Sequence, residues 1–364
     1  ATPHRGGKEL GPVVVVGSSG GYGLPAAVTA AFGFRAPVVG VCLERPAHRG
    51  RTASAGWYNL AELHRLAAAR KRRLVTVNAD CFADATKEQV VAELSRTGPP
   101  SLLVYSVAAP LRTDPDTGVT HRSVLKPIGS PYVTKSLRID TGDVTEVLLE
   151  PATEREIADT VQVMGGRDWT RWIDSLDAAG LVGDGLHTVA FGYLGPALTH
   201  PIYRSGTIGA AKADLEAAAG LLNARLSGRG GGAWVSVNSA AVTQASAAIP
   251  AVPLYLSLLM AVTGPTGTWE SPAVQMRRLF DELLVDEGGP TLDDEGRIRL
   301  DGWELDPVVQ AEVATRWAEV TTESLSRLGD PVGFRTAFRR LFGFDMKGVD
   351  YDEPVEVDIE LALR

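Results

Sequence analysis

Tyr203 and Lys212 are the pair whose residue types could do redox chemistry. A Tyr hydroxyl can donate to an oxygen that becomes negative when hydride adds to a conjugated double bond. A nearby ammonium stabilises that charge and can lower the Tyr pKa. The spacing is nine residues. On one continuous helix that is a rise of ~13.5 Å, with the two side chains on opposite faces. Cooperation therefore requires Tyr203 to precede the helix. Ser205-Gly206 supplies the break and Thr207 a suitable N-cap, which puts Lys212 in the second turn, able to point back toward Tyr203.

A second constellation lies near the N-terminus. Gly17-Ser18-Ser19-Gly20-Gly21-Tyr22-Gly23 follows a β-branched run, Pro12 to Val16, and precedes an Ala-rich helical stretch from Leu24 to Phe32. Glycines at 17, 21 and 23 let a backbone approach a pyrophosphate. The following helix N-terminus offers unpaired N–H groups and partial positive charge. Ser18 reads as a phosphate contact rather than a nucleophile. Glu44 stands 21 residues after Gly23, at the end of a second apolar run. A carboxylate there can accept from the adenosine ribose and repels a 2′-phosphate, which favours NADH, although Arg45 leaves NADPH open. Asp80, after a third strand, is placed to touch the adenine edge. Ser106 and Ala108, after a fourth, are small residues bordering a dinucleotide.

The elements that must hold these residues follow from periodicity. Apolar runs at Pro37–Leu43, Leu74–Val77, Leu102–Tyr105, Thr188–Leu194 and Ala233–Val237 read as buried strands. Asn59–Arg70, Lys87–Arg96 and Thr207–Leu226 read as helices between them. The alternation predicts an α/β fold: a Rossmann-type doubly wound parallel sheet, with an inserted β-hairpin and a helical substrate lid. The whole chain is read as one NAD(H)-binding domain, with 112–180 as a substrate-binding lid insertion and 250–300 as substrate-side helices. The segment 301–342 is expected to be helical, and 353–364 to alternate weakly. Trp169 and Trp172 are expected in core or lid packing.

Charge and composition exclude several roles. The net charge of −8 argues against nucleic acid as a partner. The proposed ligands are themselves anionic, so attraction must be local, from Lys126, Lys212 and backbone N–H groups. The apolar stretch Ala247–Val262 is too short to span a bilayer and carries Pro250 and Pro253, so it reads as core. Residues 1–11 lack the apolar centre of a secretory signal. Cys42 and Cys81 make no disulfide framework, which suggests a reducing compartment, the cytoplasm. No histidine or cysteine spacing suits a metal.

The chain resembles the V-type (FabV) trans-2-enoyl-ACP reductases and the related trans-2-enoyl-CoA reductases, whose signature is Tyr-x8-Lys. The likeness extends through Ala55-Gly56-Trp57-Tyr58-Asn59, Val104 to Pro110, Leu125 to Gly129, Val163 to Gly166, Gly192 to Pro196 and Val242 to Pro250. It continues through Leu341 to Phe344 and Val349 to Tyr351, so it covers nearly the whole chain. The resemblance implies that Tyr203 is the catalytic tyrosine, Lys212 its partner on the cofactor side, and Tyr193 a second active-site tyrosine. Tyr22 matches the aromatic residue of the glycine turn, Glu44 and Asp80 the adenosine contacts, and Ala108 the segment beside the cofactor. Thr243, Gln244 and Ala245 match a loop on the nicotinamide side. The implied reaction is NADH-dependent reduction of a trans-2-enoyl thioester on acyl carrier protein or CoA, by a monomer or homodimer.

Three departures from the family pattern bear on the substrate. Few residues precede the glycine-rich strand, Ser239 replaces a Lys, and Gly264 to Glu270 replaces a His-Glu-containing loop. They motivate an alternative, recruitment to a specialised pathway on another unsaturated substrate; carbonyl reduction by the same Tyr–Lys logic and a silent dinucleotide-binding regulator, which would have no need of Tyr203 and Lys212, are the others.

Overall fold

Four consecutive valines, Val13–Val16, form β1, and each is fully buried. A strand with no exposed face must be covered on both sides, and the chain supplies helices for both. In a computed structural model, which describes residues 10–284 and 289–361, β1 is an interior strand of a seven-stranded sheet, third from one edge. Residues 1–9 and 362–364, which include the polar leader and the end of the weakly alternating tail, lie outside the described residues.

In chain order, the elements begin with α1 (Gly23–Val28), which runs on as a π-helical stretch, Thr29–Gly33, then β2 (Val38–Cys42) and α2 (Ala55–Ala69). Next come β3 (Leu74–Asn78), α3 (Asp84–Thr97) and β4 (Leu102–Tyr105). Two hairpins follow, β5 (Leu111–Thr113) with β6 (Thr120–Arg122), and β7 (Tyr132–Leu137) with β8 (Val144–Leu149). Then come α4 (Glu154–Met164), α5 (Arg167–Ala178), β9 (His187–Gly192), α6 (Thr207–Ser227) and β10 (Gly232–Val237). The remainder is α7 (Gln244–Ala247), α8 (Val252–Thr263), α9 (Pro272–Leu284), β11 (Ile298–Arg299), α10 (Pro307–Glu319), α11 (Leu325–Leu328) and α12 (Pro331–Arg340).

The large sheet has the order β3-β2-β1-β4-β9-β10-β11, and every pairing in it is parallel. This is the doubly wound arrangement that the alternation predicts. Val13 and Val15 face one core, with α1, α2 and α9. Val14 and Val16 face the other, with α3, α5 and α6. A third apolar cluster unites α8, α10, α11 and α12 with Leu137 and Ile202.

Two regions differ from the sequence expectation. Trp169 and Trp172, on α5, are buried against the sheet, and Trp169 Nε1 donates to Thr188 Oγ1 at 2.8 Å. So α5, counted by sequence with the 112–180 insertion, packs as a core helix. Likewise α9 packs Met276, Leu279 and Phe280 beside Val13 and Val15, whereas α8 joins the third cluster. The helix α8 is the expected buried segment, with Pro253 in its first turn, where no intrahelical N–H bond is lost. The two-residue strand β11 is too short for any periodicity to announce.

Between α4 and α5 the chain turns at Gly165-Gly166, against α6. A Cβ at Gly165 would lie 2.3 Å from Asp214 Oδ2, and one at Gly166 2.2 Å from Ala218 Cβ. The Gly166 N–H donates to that same Asp214 oxygen at 2.8 Å.

A buried ion pair anchors the loop that follows β3. Lys87 Nζ donates to Asp168 Oδ1 at 2.9 Å, to Cys81 O at 2.9 Å and to Phe82 O at 3.2 Å. Tyr105 OH donates to the other Asp168 oxygen at 3.1 Å. Both charged side chains are almost fully buried, 1% and 2% exposed. Removing one partner strands a buried charge. Lys87→Met should lower unfolding free energy by about 3–5 kcal/mol in chemical denaturation, and adding Asp168→Leu should restore much of it.

Candidate active site

All parallel strands end on one edge, and the candidate residues collect there. Gly17 and Gly21 adopt φ of +89° and +54°. A Cβ on Gly17 would lie 1.9 Å from Ser106 O, and one on Gly23 1.9 Å from Gly17 O. The turn thus folds tightly against the exit of β4, and only glycine fits. Ser106 N–H donates to Val16 O at 2.8 Å, which holds β4 in that register. Ser18 is 1% exposed, with its N–H and hydroxyl both turned to Val41 O, at 2.9 and 3.2 Å. It is an internal brace of the turn rather than a surface group facing a ligand.

Glu44 sits where the turn, β2 and α2 meet. Its Oε1 accepts from Ser19 Oγ at 2.6 Å, and its Oε2 accepts from Ser54 Oγ. Its backbone is clamped by the Asn78 side chain, with Glu44 N–H donating at 2.7 Å and Asn78 Nδ2 donating to Glu44 O at 2.9 Å. A Cβ at Gly56 would lie 2.1 Å from the carboxylate, so that glycine lets α2 approach it. Arg45 is exposed beside it. Asp80 is exposed beyond β3, with one carboxylate oxygen accepting from Phe82 N–H at 3.0 Å. Ala108 is exposed beyond β4.

The tyrosines lie farther along the same edge. Tyr193 follows β9 directly. A short 3₁₀ turn, Ala197–Thr199, then brings the chain back so that Tyr203 N–H donates to Thr199 O at 2.9 Å. The rings of Tyr193 and Tyr203 meet edge to face, with centroids 4.7 Å apart. Tyr203 does precede α6, as the spacing requires. The N-cap, however, is Gly206, with no side-chain cap. Thr207 is instead the first helical residue, and its hydroxyl donates to Val124 O at 2.5 Å. That bond ties α6 to the insertion and removes Thr207 from the capping role. Lys212 Nζ donates to Phe191 O at 2.7 Å, so its ammonium is fixed toward β9, two residues before Tyr193. Burial lowers the Lys212 pKa to about 8, a fall that Glu216 partly opposes. Lys126, expected as a source of local attraction for an anionic ligand, is paired with Glu156 at 2.6 Å.

Tyr22 packs on Phe191 with ring centroids 5.6 Å apart, and its hydroxyl donates to Ser239 O at 2.5 Å. Ser239 is buried, with its N–H on Gln275 Oε1 at 2.9 Å and its hydroxyl on Leu300 O at 2.7 Å. Thr243 caps α7 in a reciprocal box with Ser246, leaving Gln244 and Ala245 exposed at the helix start. The expected loop is therefore a short helix. In the Gly264 to Glu270 segment, Glu270 pairs with Arg278.

One group had no place in the sequence reading. Glu304 is fully buried, yet its Oε1 accepts from Tyr193 OH at 2.6 Å and from Tyr255 OH at 2.7 Å. Its Oε2 accepts from Ala240 N–H at 2.5 Å. Burial pushes its pKa up to about 7 against these bonds, which favour the charged form. Burial, then the Glu304 charge, raises the pKa of Tyr203. A signal existed in the lone tyrosine of the apolar run Ala247–Val262, Tyr255, because a buried phenol needs a partner. A cavity of about 500 Å³ lies beside this cluster, lined by Leu194, Pro196, Leu198, His200, Arg204 and Gln310 among others.

The cradle suits a dinucleotide: a tight glycine turn for a pyrophosphate, a fixed carboxylate for a ribose, and a tyrosine pair farther along the same edge. The comparisons agree. A family model described as the trans-2-enoyl-CoA reductase catalytic region matches residues 51–285. One described as the NAD(P)H binding domain of trans-2-enoyl-CoA reductase matches residues 4–49, and one described as an enoyl reductase FAD binding domain matches residues 292–355. The enoyl-[acyl-carrier-protein] reductase [NADH] of Burkholderia mallei is 49% identical over 361 residues, 98% of this chain and 91% of that protein. The trans-2-enoyl-CoA reductase of Treponema denticola, solved in complex with NAD, is 42% identical with a TM-score of 0.93, covering 98% of this chain and 89% of that one. That of Clostridium acetobutulicum, solved in complex with NADH, is 36% identical with a TM-score of 0.95, covering 100% and 92%.

A flavin dinucleotide does not fit the 292–355 segment. The Asp306 carboxylate takes the first N–H groups of α10, and Asp330 takes that of Gly333 in α12, so neither helix start can receive a phosphate. Their apolar residues Val313 and Phe334 are already packed into the third cluster. Through the first of these models and nearly whole-length similarity to the Burkholderia mallei protein, the chain belongs to the trans-2-enoyl-CoA reductase family.

Proposed function

We infer that the chain reduces the C2=C3 double bond of a trans-2-enoyl thioester with NADH. The observation that carries this reading is the edge-to-face pair Tyr193–Tyr203, with the Lys212 ammonium held on Phe191 O, two residues before Tyr193, on the strand edge that carries the glycine turn. The bound nicotinamide supplies a hydride to Cβ. Tyr203 donates to the thioester oxygen as it becomes an enolate oxygen, and Lys212 adds positive charge beside it. The main chain at Gly17, Gly21 and Gly23, with Tyr22, receives the dinucleotide. Ser106, Ala108, Thr243, Gln244 and Ala245 border it, and Asp80 lies at the adenine end. Glu44 accepts from the ribose hydroxyls and repels a 2′-phosphate, which selects NADH. Ser18 braces the turn from beneath.

The acyl thioester enters by the cavity at Arg204 and Gln310. Its carrier is CoA or an acyl carrier protein, and the names of the relatives include both. The cytoplasm is the compartment this chemistry suits, and both cysteines are free thiols. The working unit is a monomer or homodimer. Among the described residues no helix is long and apolar enough to cross a membrane.

The decisive assay mixes the protein with NADH and crotonyl-CoA and follows the nicotinamide absorbance. NADH should be consumed with enoyl but not with β-ketoacyl thioesters; turnover of the ketone instead would favour carbonyl reduction. Tyr203→Phe should lower kcat by roughly 10²-fold or more, as loss of an oxyanion donor does, with NADH binding retained in a fluorescence titration. Glu44→Ala should raise the NADPH-to-NADH ratio of kcat/KM by ~10-fold or more, the scale of one charged hydrogen-bond partner. An unchanged ratio would remove Glu44 from cofactor selection.

A further inference from the structure

Reduction of an enoyl thioester consumes a proton as well as a hydride, and the site described so far names no store for it. The buried Glu304 is the titratable group bonded to Tyr193. Its neighbours are Tyr193 after β9, Tyr255 on α8, the Ala240 N–H after β10, and Asp301 in its own turn. Asp301 is itself held by Arg299 at 2.8 and 2.9 Å. Tyr22 and Tyr203 both feel the Glu304 charge.

The bonding pattern leaves one hydroxyl able to turn. Oε2 faces the Ala240 N–H, so a proton added to the carboxylate belongs on Oε1. Tyr255 oxygen already accepts from Gln310 Nε2 at 3.0 Å, which commits its own hydrogen to Glu304. Among the described residues the Tyr193 oxygen has no such second donor, and its hydroxyl lies beside that of Tyr255. With Glu304 ionised, Tyr193 donates inward. With Glu304 protonated, the carboxyl donates to the Tyr193 oxygen, and the Tyr193 hydrogen is released toward the neighbouring Tyr203 ring and the cleft.

We propose that Glu304 is the proton store and positioning residue behind Tyr193, loading it to donate into the cleft. The proposal rests on the enoyl reductase reading. As the enolate collapses, the Tyr193 O–H bond breaks and its proton passes to Cα, where the new C–H bond forms. The Glu304 O–H bond breaks and its proton passes to the Tyr193 oxygen. Glu304 is left as a carboxylate and regains a proton from water before the next turnover, so one proton is taken up for each hydride.

The test compares the wild type with Glu304→Gln in kcat against pH, with crotonyl-CoA and NADH, between pH ~5 and ~9. Wild-type kcat should fall as pH rises through about 7. Glu304→Gln can hold Tyr193 through its amide but has no proton to pass on. Its kcat should be lower by ~10-fold or more, with the limb near neutrality gone and NADH affinity unchanged. A limb that persists in Glu304→Gln, or an unchanged kcat, would overturn the proposal, since a merely structural role lowers activity without moving the limb. Should Glu304→Gln not fold, Tyr193→Phe replaces it and must remove the same limb.

A substrate-free measurement separates this proposal from the enoyl reductase reading. The folded-state pKa of Glu304 is raised from 4.5 to about 7, so the folded chain binds more protons than the unfolded chain between those values. Its contribution is fully present below 4.5 and lost as pH rises through about 7. The Tm of the wild type should therefore fall across that window relative to Glu304→Gln. Parallel Tm curves would overturn the role of Glu304 whatever the substrate, whereas no turnover of any enoyl thioester by the wild type would sink the reading itself.

Discussion

A parallel sheet delivers all its strand ends to one side, and everything functional in this chain depends on that constraint. The order β3-β2-β1-β4-β9-β10-β11 places β1 where the direction of chain progression reverses. At such a point the connections leave the sheet in opposite directions and open a crevice. The glycine turn after β1 is packed into it so closely that Ser106 O occupies the place of a Gly17 Cβ. The carboxylate after β2 and the tyrosines after β9 come to the same edge only because their strands run the same way.

Most of this edge was legible in the sequence, for a physical reason. A strand covered on both faces must be continuously apolar, so Val13–Val16 and Leu102–Tyr105 announce themselves. Glycine at 17 announces a turn that no other residue could make. Glu44 could be placed by its distance from Gly23 alone. What could not be read is how firmly it is held, because Ser19 and Ser54 reach it from opposite directions in the chain. The same hydroxyl explains an early helix start. Ser54 precedes α2 in extended geometry but gives its oxygen to no cap, so the start at Ala55 carries no local capping signal.

Glu304 shows the limit of such reading. In sequence it is an acidic residue between Trp303 and Leu305, near a helical tail. Its meaning arises from three partners, 49 to 111 residues away. The tail itself breaks into α10, α11 and α12, with Asp306 and Asp330 capping the first and last. Residues 353–361 alternate weakly yet form no strand. Their carbonyls instead accept from side chains on α2, Tyr58 OH to Val357 O and Trp57 Nε1 to Ile359 O, both at 2.8 Å. Side-chain clamps of this kind have no period and leave no pattern to detect.

The glycine pair between α4 and α5 has a bearing on chemistry that lies across a helix from it. Asp214 accepts the Gly166 N–H, and Ala218 fills the space where a Gly166 Cβ would be, so α6 packs directly on bare main chain on that side. Lys212 is two residues from Asp214 on the same helix, and its ammonium reaches Phe191 O. The azimuth of the ammonium is thus set from behind, by a detent that accepts a bare main chain. A methyl group there would press on Ala218, and so on the helix that carries the cation, without touching a single residue of the cleft.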